Sequence, residues 1–273
     1  MPRQVSGYGW VRDLPDHRDL LFSVSIGTLR KLPTSVDLRA GCPPIYNQGR
    51  IGSCTANAIA AAIEFDRLKR RQLPDFVPSR LFIYYNERAI EGHTANDAGA
   101  QLRDGIKSVN ADGACPESHW PYDDSPAEFD GGPFPMGARA ATKPSAACYK
   151  EALQYRAVNY QRLNQSLSQL KGCLAEGFPF VFGFTVFESF FKAPGMQHTV
   201  TPLPSADDSP VGGHAVMAVG FDDANRKSIV RNAWGTRQAD PGHFYMPYSF
   251  LWGHTLLGDF WLSHTVDGSC LSR

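Results

Sequence analysis

Partway along the chain the apolar residues change their spacing, and that change limits the folds available. Residues 55–71 ("TANAIAAAIEFDRLKRR"), 79–90 and 101–109 repeat their apolar positions at helical intervals. Pro74, Pro78 and the run "NADG" punctuate them. After a proline-rich crossing, "CPESHWPYDDSP", and a loop-like stretch over 123–147, residues 165–176 repeat the helical spacing once more. "PFVFGFTVF" then reads as a buried strand. "HAVMAVGF", "SIVRNAWG", "GHFYMPYSFLW" and "DFWLSHTV" come next as further strands. A helical half followed by a β-rich half predicts an α+β protein of two lobes with a cleft between them. The expected division is a leader over 1–37 and a catalytic unit over 38–273. The unit's helical lobe spans about 45–122 and its β-rich lobe about 123–273.

The 273 residues carry 27 basic and 27 acidic side chains. This balance argues against nucleic acid or an anionic membrane as the main partner. The longest apolar run, 178–187, is too short to span a bilayer. The start, "MPRQVSGYGW", lacks the apolar core of a secretory signal, so the default compartment is the cytoplasm, with export by another route left open. Six cysteines (Cys42, Cys54, Cys115, Cys148, Cys173, Cys270) contain no C-x-x-C pair, which argues against a zinc ribbon or a thioredoxin-like motif. A disulfide framework stays open, with at least one further cysteine left over if Cys54 is reactive.

Cys54 has an address that a structural thiol does not need. Gly52 and Ser53 supply a turn and a helix cap, which puts the thiol in the first turn of an alanine-rich helix. Unpaired N–H groups and the helix dipole favour a thiolate there and predict a lowered pKa. Taken alone, the position also suits a small core cysteine. A nucleophilic thiol needs a base, and a base needs an orienting group. His214 comes after two glycines, Gly212 and Gly213, that permit close backbone approach. If a hairpin turns at Asp222–Asn225, its midpoint near 223 sets Asn232 across the ladder from His214. The amide oxygen of Asn232 would then fix the imidazole tautomer. Trp234, two residues on, would shield that bond from water. Gln48, six residues before Cys54, would donate to an oxyanion beside the Cys54 N–H.

At these residues the sequence resembles the papain-like cysteine peptidases, and the bacterial and viral branches more than animal cathepsins. The motifs are Gln48, "GSC" ending at Cys54, "GGHAVMAVG" around His214, "NAWG" from Asn232, "GHFYM" and "LPTSVDLR". Four of these agree in order across most of residues 32–265. The resemblance implies a cysteine endopeptidase with no metal or organic cofactor and a peptide or protein as substrate. It also implies that Gly99 lies in a segment that hydrogen-bonds extended peptide, and that Gly213 and Trp234 line the substrate site. Ile51 stands where many relatives have a cysteine, so their disulfide at that point is absent. Thr55 and Ala233 replace an aromatic residue and a serine of the family pattern, which leaves substrate preference open. The alternatives are an amidase or acyltransferase of non-peptide substrates with the same triad, or a non-catalytic peptide-binding relative. Peptidases of this type are often made with an N-terminal segment across the cleft, as zymogens. Here the leader offers Tyr8, Trp10, Leu20, Leu21 and Phe22 as apolar anchors, with Arg12, Asp13, Asp16, Arg18 and Asp19 between them. It would either block the cleft in cis or pack on the back of a lobe.

Overall fold

The computed structural model describes residues 8–72, 76–156, 159–192, 200–237, 240–251 and 256–264. Cys270 and the first seven residues lie outside that set. The leader carries β1 (Trp10–Val11), β2 (Leu21–Phe22), α1 (Ile26–Arg30) and β3 (Ser35–Asp37). It is therefore less uniformly extended than its charge and proline content suggest. Ser25 caps α1 by accepting the Thr28 N–H, a local bond that the turn-rich composition masks.

Helix α2 (Cys54–Lys69) is buried on almost every side from Cys54 to Arg67. Its alanines make this possible, because methyl side chains let neighbouring elements approach from all directions. Helices α3 (Arg80–Glu91) and α4 (Leu102–Asp112) pack against it, with β4 (Ala100–Gln101) between them in sequence. The Ser79 hydroxyl accepts the Phe82 N–H to cap α3, and Gly92, at φ +80°, ends it in the left-handed region that favours glycine. Helix α5 (Ala146–Ala152) closes the loop region.

The remaining elements are β5 (Asn159–Leu163), α6 (Leu167–Ala175), β6 (Phe180–Phe187), α7 (Ser189–Lys192), β7 (Pro210–Asp222), β8 (Lys227–Arg231), β9 (His243–Pro247), α8 (Tyr248–Leu251) and β10 (Leu257–His264). Their sheet runs in the order β2-β5-β10-β6-β7-β8-β9, with β3 added to the end of β7. Strand β7 sets its position through alternation. Ala215, Met217 and Val219 join the core shared with α2 and α4, whereas Val216, Ala218 and Phe221 join a second core on the other face. That second core is rich in phenylalanine, with Phe182 stacked on Phe260 at 5.5 Å. The segment "SIVRNAWG" is a strand only as far as Arg231, and the stretch from Asn232 leaves the ladder. The site is built on that departure.

One buried cation braces the helical side. Arg88, with 0% exposure, lies over the Tyr84 ring and donates to the carbonyls of Tyr84, Thr94, Asn96 and Ala140. It thereby fixes residues 94–97, which lead to the buried carboxylate of Asp97. Replacing Arg88 with methionine keeps the bulk but strands several buried carbonyls. We expect a loss of about 3 kcal/mol in urea unfolding. An unchanged midpoint would show that the carbonyls find water instead.

Candidate active site

The turn before α2 is held from three directions. The Asp97 carboxylate accepts the Gly52 N–H at 2.9 and 3.0 Å and the Tyr84 hydroxyl at 2.5 Å. Ser53 stands at the N-cap position but its hydroxyl does not cap the helix. It pairs with the Tyr122 hydroxyl at 2.6 Å and accepts from Asn57. Below, Thr55 donates to buried Glu87 at 2.6 Å, and burial pushes that carboxyl well above its ordinary range. Asp97, Glu87 and Tyr122 give no motif in the sequence. Their only signal is that such groups are costly to bury without partners.

His214 Nε2 lies 2.8 Å from Asn232 Oδ1. Both side chains are buried, and His214 has no exposed surface. The indole of Trp234 stacks on the imidazole at 4.5 Å and an interplanar angle of 27°, so it covers the bond. The hairpin arithmetic needs correcting, however. Strand pairing runs Met217 to Arg231 and Ala218 to Val230, then shifts at a bulge to Gly220–Ile229. Asn232 is therefore not directly across from His214. It lies beyond the end of β8, where its own N–H donates to Gly242. The two side chains meet because the chain turns there, and Asn232 Oδ1 also accepts the Ala233 N–H at 2.8 Å.

Gln48 is fully buried and joins the same assembly. Its Oε1 accepts the Trp234 indole N–H at 3.1 Å, and its Nε2 donates to the Ile51 carbonyl at 3.1 Å. The bridge between Asn47 and Trp234 ties this loop to the sheet side. One amide hydrogen of Gln48 remains beyond the Ile51 bond. On the imidazole, Nδ1 is buried with no hydrogen-bond partner among the described residues. The backbone N–H of Ala215, next to His214, lies beside the Cys54 sulfur.

The leader occupies the cleft above these groups. The Gly9 N–H also faces the Cys54 sulfur, and the Gly9 carbonyl accepts the Ala100 N–H at 2.7 Å. Strand β1 pairs in parallel with β4, Trp10 opposite Ala100. Gly99, at φ +71°, lies so close that an added Cβ would be 2.2 Å from the Gly9 oxygen. A Cβ on Gly213 would be 2.2 Å from the Trp10 carbonyl oxygen. Both glycines thus border an extended segment, and that segment is the chain's own. Trp10 is buried, whereas Leu20 and Leu21 are exposed and do not anchor the leader. Tyr8 and Phe22 do pack, partly buried, against the second core, and polar contacts add to them: Arg103 pairs with Asp19, the Trp261 indole donates to Asp13, and the Asp13 N–H donates to Asp259.

Burial opposes the expected thiol chemistry. Burial pushes the Cys54 thiol up to about 12, outweighing the backbone N–H groups that lower it. His214 falls to about 4 for the same reason, with the Asn232 bond opposing. Burial thus favours the neutral form of both groups. The helix-terminus argument omits desolvation, and here desolvation wins. Cys42, Cys54, Cys115, Cys148 and Cys173 are free thiols. Among the described residues no cluster of His, Cys, Asp or Glu has metal-binding geometry, and no helix is long and apolar enough to cross a membrane.

With this geometry, the chain's similarity to known proteins is informative. The sequence matches the Papain family cysteine protease domain over residues 32–250, and the chain belongs to that family of hydrolases. The crystal structure of xylellain, a cysteine protease from Xylella fastidiosa, is similar at TM-score 0.91 and 48% identity, over 97% of this chain and 99% of that one. An uncharacterized peptidase C1-like protein of Acanthamoeba polyphaga mimivirus is 37% identical over 97% of this chain and 89% of its own length. Procathepsin B from Trypanosoma congolense shares the fold, with TM-score 0.71 at 18% identity, over 95% of this chain and 87% of that one.

The buried imidazole has a measurable consequence. Its folded pKa of about 4 lies below the ordinary 6.5, so the folded state binds fewer protons between those values. Its contribution is therefore present above pH 6.5 and lost as pH falls towards 4, about 3 kcal/mol in all. Raised carboxyls such as Glu87 act in the opposite sense, so the difference between two proteins is the useful quantity. We expect the stability of His214→Gln to fall less steeply with acid than that of the parent. Parallel slopes in urea titrations across this range would remove the assignment.

Proposed function

We propose that this protein is a cysteine endopeptidase held latent by its own residues 1–37. In this reading Cys54 is the nucleophile, His214 its base and then its acid, Asn232 the orienter and Gln48 an oxyanion donor. The observation that carries it is the His214–Asn232 bond beneath Trp234, which leaves the opposite imidazole nitrogen unpartnered. That nitrogen takes the thiol proton once the cleft is hydrated. The thiolate attacks a scissile carbonyl, and the oxyanion is met by the Gln48 amide and the Cys54 N–H, each donor worth roughly 3 kcal/mol in comparable sites. His214 then protonates the leaving amine and activates the water that releases the acyl group. Gly99, Gly213 and Trp234 border the bound peptide, across a cleft between a helical lobe at about 45–122 and a β-rich lobe at about 123–273.

Two features support latency. Gly9 presents an N–H to the sulfur, and its carbonyl is engaged by Ala100, so the leader is a poor substrate where it lies. Tethering also gives it an effective concentration on the order of millimolar. The procathepsin relative is a pro-form by name.

The test compares peptide hydrolysis by the full chain and by a chain beginning at Leu32. We expect the shorter chain, if folded, to gain at least tenfold in kcat/KM, and equal values would show that the leader does not gate the site. In the active form Cys54→Ala and His214→Ala should remove nearly all turnover. Asn232→Ala should retain activity, lowered roughly tenfold to a hundredfold. Peptide hydrolysis by the Cys54→Ala protein would show the nucleophile to be elsewhere.

A further inference from the structure

Two thiols away from the catalytic groups are set against each other by one short turn. Cys115 and Cys148 are both buried and, with Phe82 and Ala152, make up a small apolar cluster apart from the two main cores. Cys115 Sγ lies 3.3 Å from the Pro116 carbonyl oxygen, and Cys148 Sγ lies 3.7 Å from that of His119. Those two carbonyls belong to a single turn, in which the His119 N–H donates to Pro116 at 3.0 Å. The sulfurs are thus drawn to the same place, and the Cys148 sulfur is a side-chain hydrogen-bonding neighbour of the Cys115 thiol. The Ser145 hydroxyl donates to Cys148 Sγ at 3.2 Å and holds it at the start of α5. Of the other described thiols, Cys42 faces the Leu38 carbonyl and Cys173 that of Phe178, in separate parts of the fold.

The turn belongs to the crossing that backs the active-site loop. Ser79 donates to the Trp120 carbonyl at 2.7 Å, Arg80 pairs with Glu117 at 2.7 Å, and the Tyr122 hydroxyl donates to the Gln48 carbonyl at 2.9 Å. Helix α5 meets this crossing through the half-exposed His119–Glu151 pair, a kind of contact that adds little stability. We propose that Cys115 and Cys148 are a disulfide-forming pair, a redox modification site that staples α5 to the crossing behind the active-site loop. Neither the pair nor its test depends on the peptidase reading. The oxidant is a small-molecule disulfide such as oxidised glutathione. One cysteine, as its thiolate, attacks a glutathione sulfur, which forms a mixed disulfide and releases one reduced glutathione. The second thiolate then displaces the other glutathione. Two protein thiols thereby give up two electrons and two protons, and two glutathione thiols are made. Ser145, Ala146, Ala147 and Lys150 around Cys148 are exposed, so fraying of the seven-residue α5 admits the reagent. Burial holds the Cys115 thiol above its ordinary range, and the Cys148 sulfur adds to this. Such a thiol is a poor leaving group, so the closed bond resists reduction. The pair stays open where glutathione is mostly reduced and closes where it is mostly oxidised.

The test uses the full chain with Cys270→Ser in every arm, so that this further thiol does not compete. The reduced protein is equilibrated with oxidised or with reduced glutathione. Free thiols are then alkylated by iodoacetamide in denaturant, and the unreduced digest is read by mass spectrometry. We expect one internal disulfide joining the Cys115 and Cys148 peptides, with Cys42, Cys54 and Cys173 alkylated. The bond closes the whole stretch between the two cysteines into a loop, which restricts the unfolded chain. It should raise the unfolding temperature of the oxidised protein by about 5 to 10 °C over the reduced one. Cys115→Ala and Cys148→Ala should each abolish both the linked peptide and the shift. Should either variant not fold, the linkage map and the paired melting curves of the parent decide by themselves. A link from Cys115 or Cys148 to any other cysteine would overturn the assignment, as would two thiols that stay alkylated or end as separate glutathione adducts. A correct link with no rise in unfolding temperature would overturn the staple.

Discussion

The site depends on the stacking of Trp234 over His214. That one ring holds the imidazole by its face, receives the Gln48 side chain at its N–H and pairs its backbone with Asn47. It therefore joins the loop before α2 to the end of the sheet, so the two halves of the molecule meet at an aromatic contact with polar bonds at its edge. Phe190 and Phe191 pack against the same indole and fix it from the other side. Offset and edge-on ring contacts add modestly to the area they bury, but here they also set the orientation of a hydrogen-bonding group. A looser ring would leave Asn232 and Gln48 without a fixed relation to each other.

Much of this was legible in the sequence because it is carried by local rules. The apolar spacing of α2, α3 and α4, the serine before α3 and the alternation along β7 need no partner to be read. The motif order from Gln48 to Gly235 identified the family. What could not be read was anything that depends on long-range desolvation. The thiol at a helix start looks acidic until it is known to be fully buried. The same blindness applies to Asp259, which reads as one polar residue in "DFWLSH" and becomes a buried acceptor for the Asp13 N–H and the Trp10 indole N–H, 246 and 249 residues away. The hairpin estimate found the right pair of side chains but the wrong register, because a bulge near Gly220 and the early end of β8 cannot be read from alternation.

The leader is attached by unlike means along its length. Near the cleft it relies on shape, with glycines on both sides and one buried indole. Further on it relies on charge, through Asp13 and Asp19 against Arg103 and Arg162. Apolar anchoring by Leu20 and Leu21 plays no part. Ionic attachment is weakened by salt more than by urea, and shape complementarity behaves in the reverse way.

The glycines facing the leader give the protein an uneven response to random change. At Gly99, Gly183, Gly212 and Gly213 the nearest atoms to an added methyl group all belong to Tyr8, Gly9 or Trp10. At Gly183 and Gly213 a substitution collides with the strap before it disturbs the wall, whereas at Gly99 and Gly212, with φ +71° and +153°, it would also strain the wall's own backbone. Drift at Gly183 and Gly213 therefore tends to loosen the cover while sparing the groups beneath it, so inherited damage of this kind would produce an unruly protein sooner than a silent one.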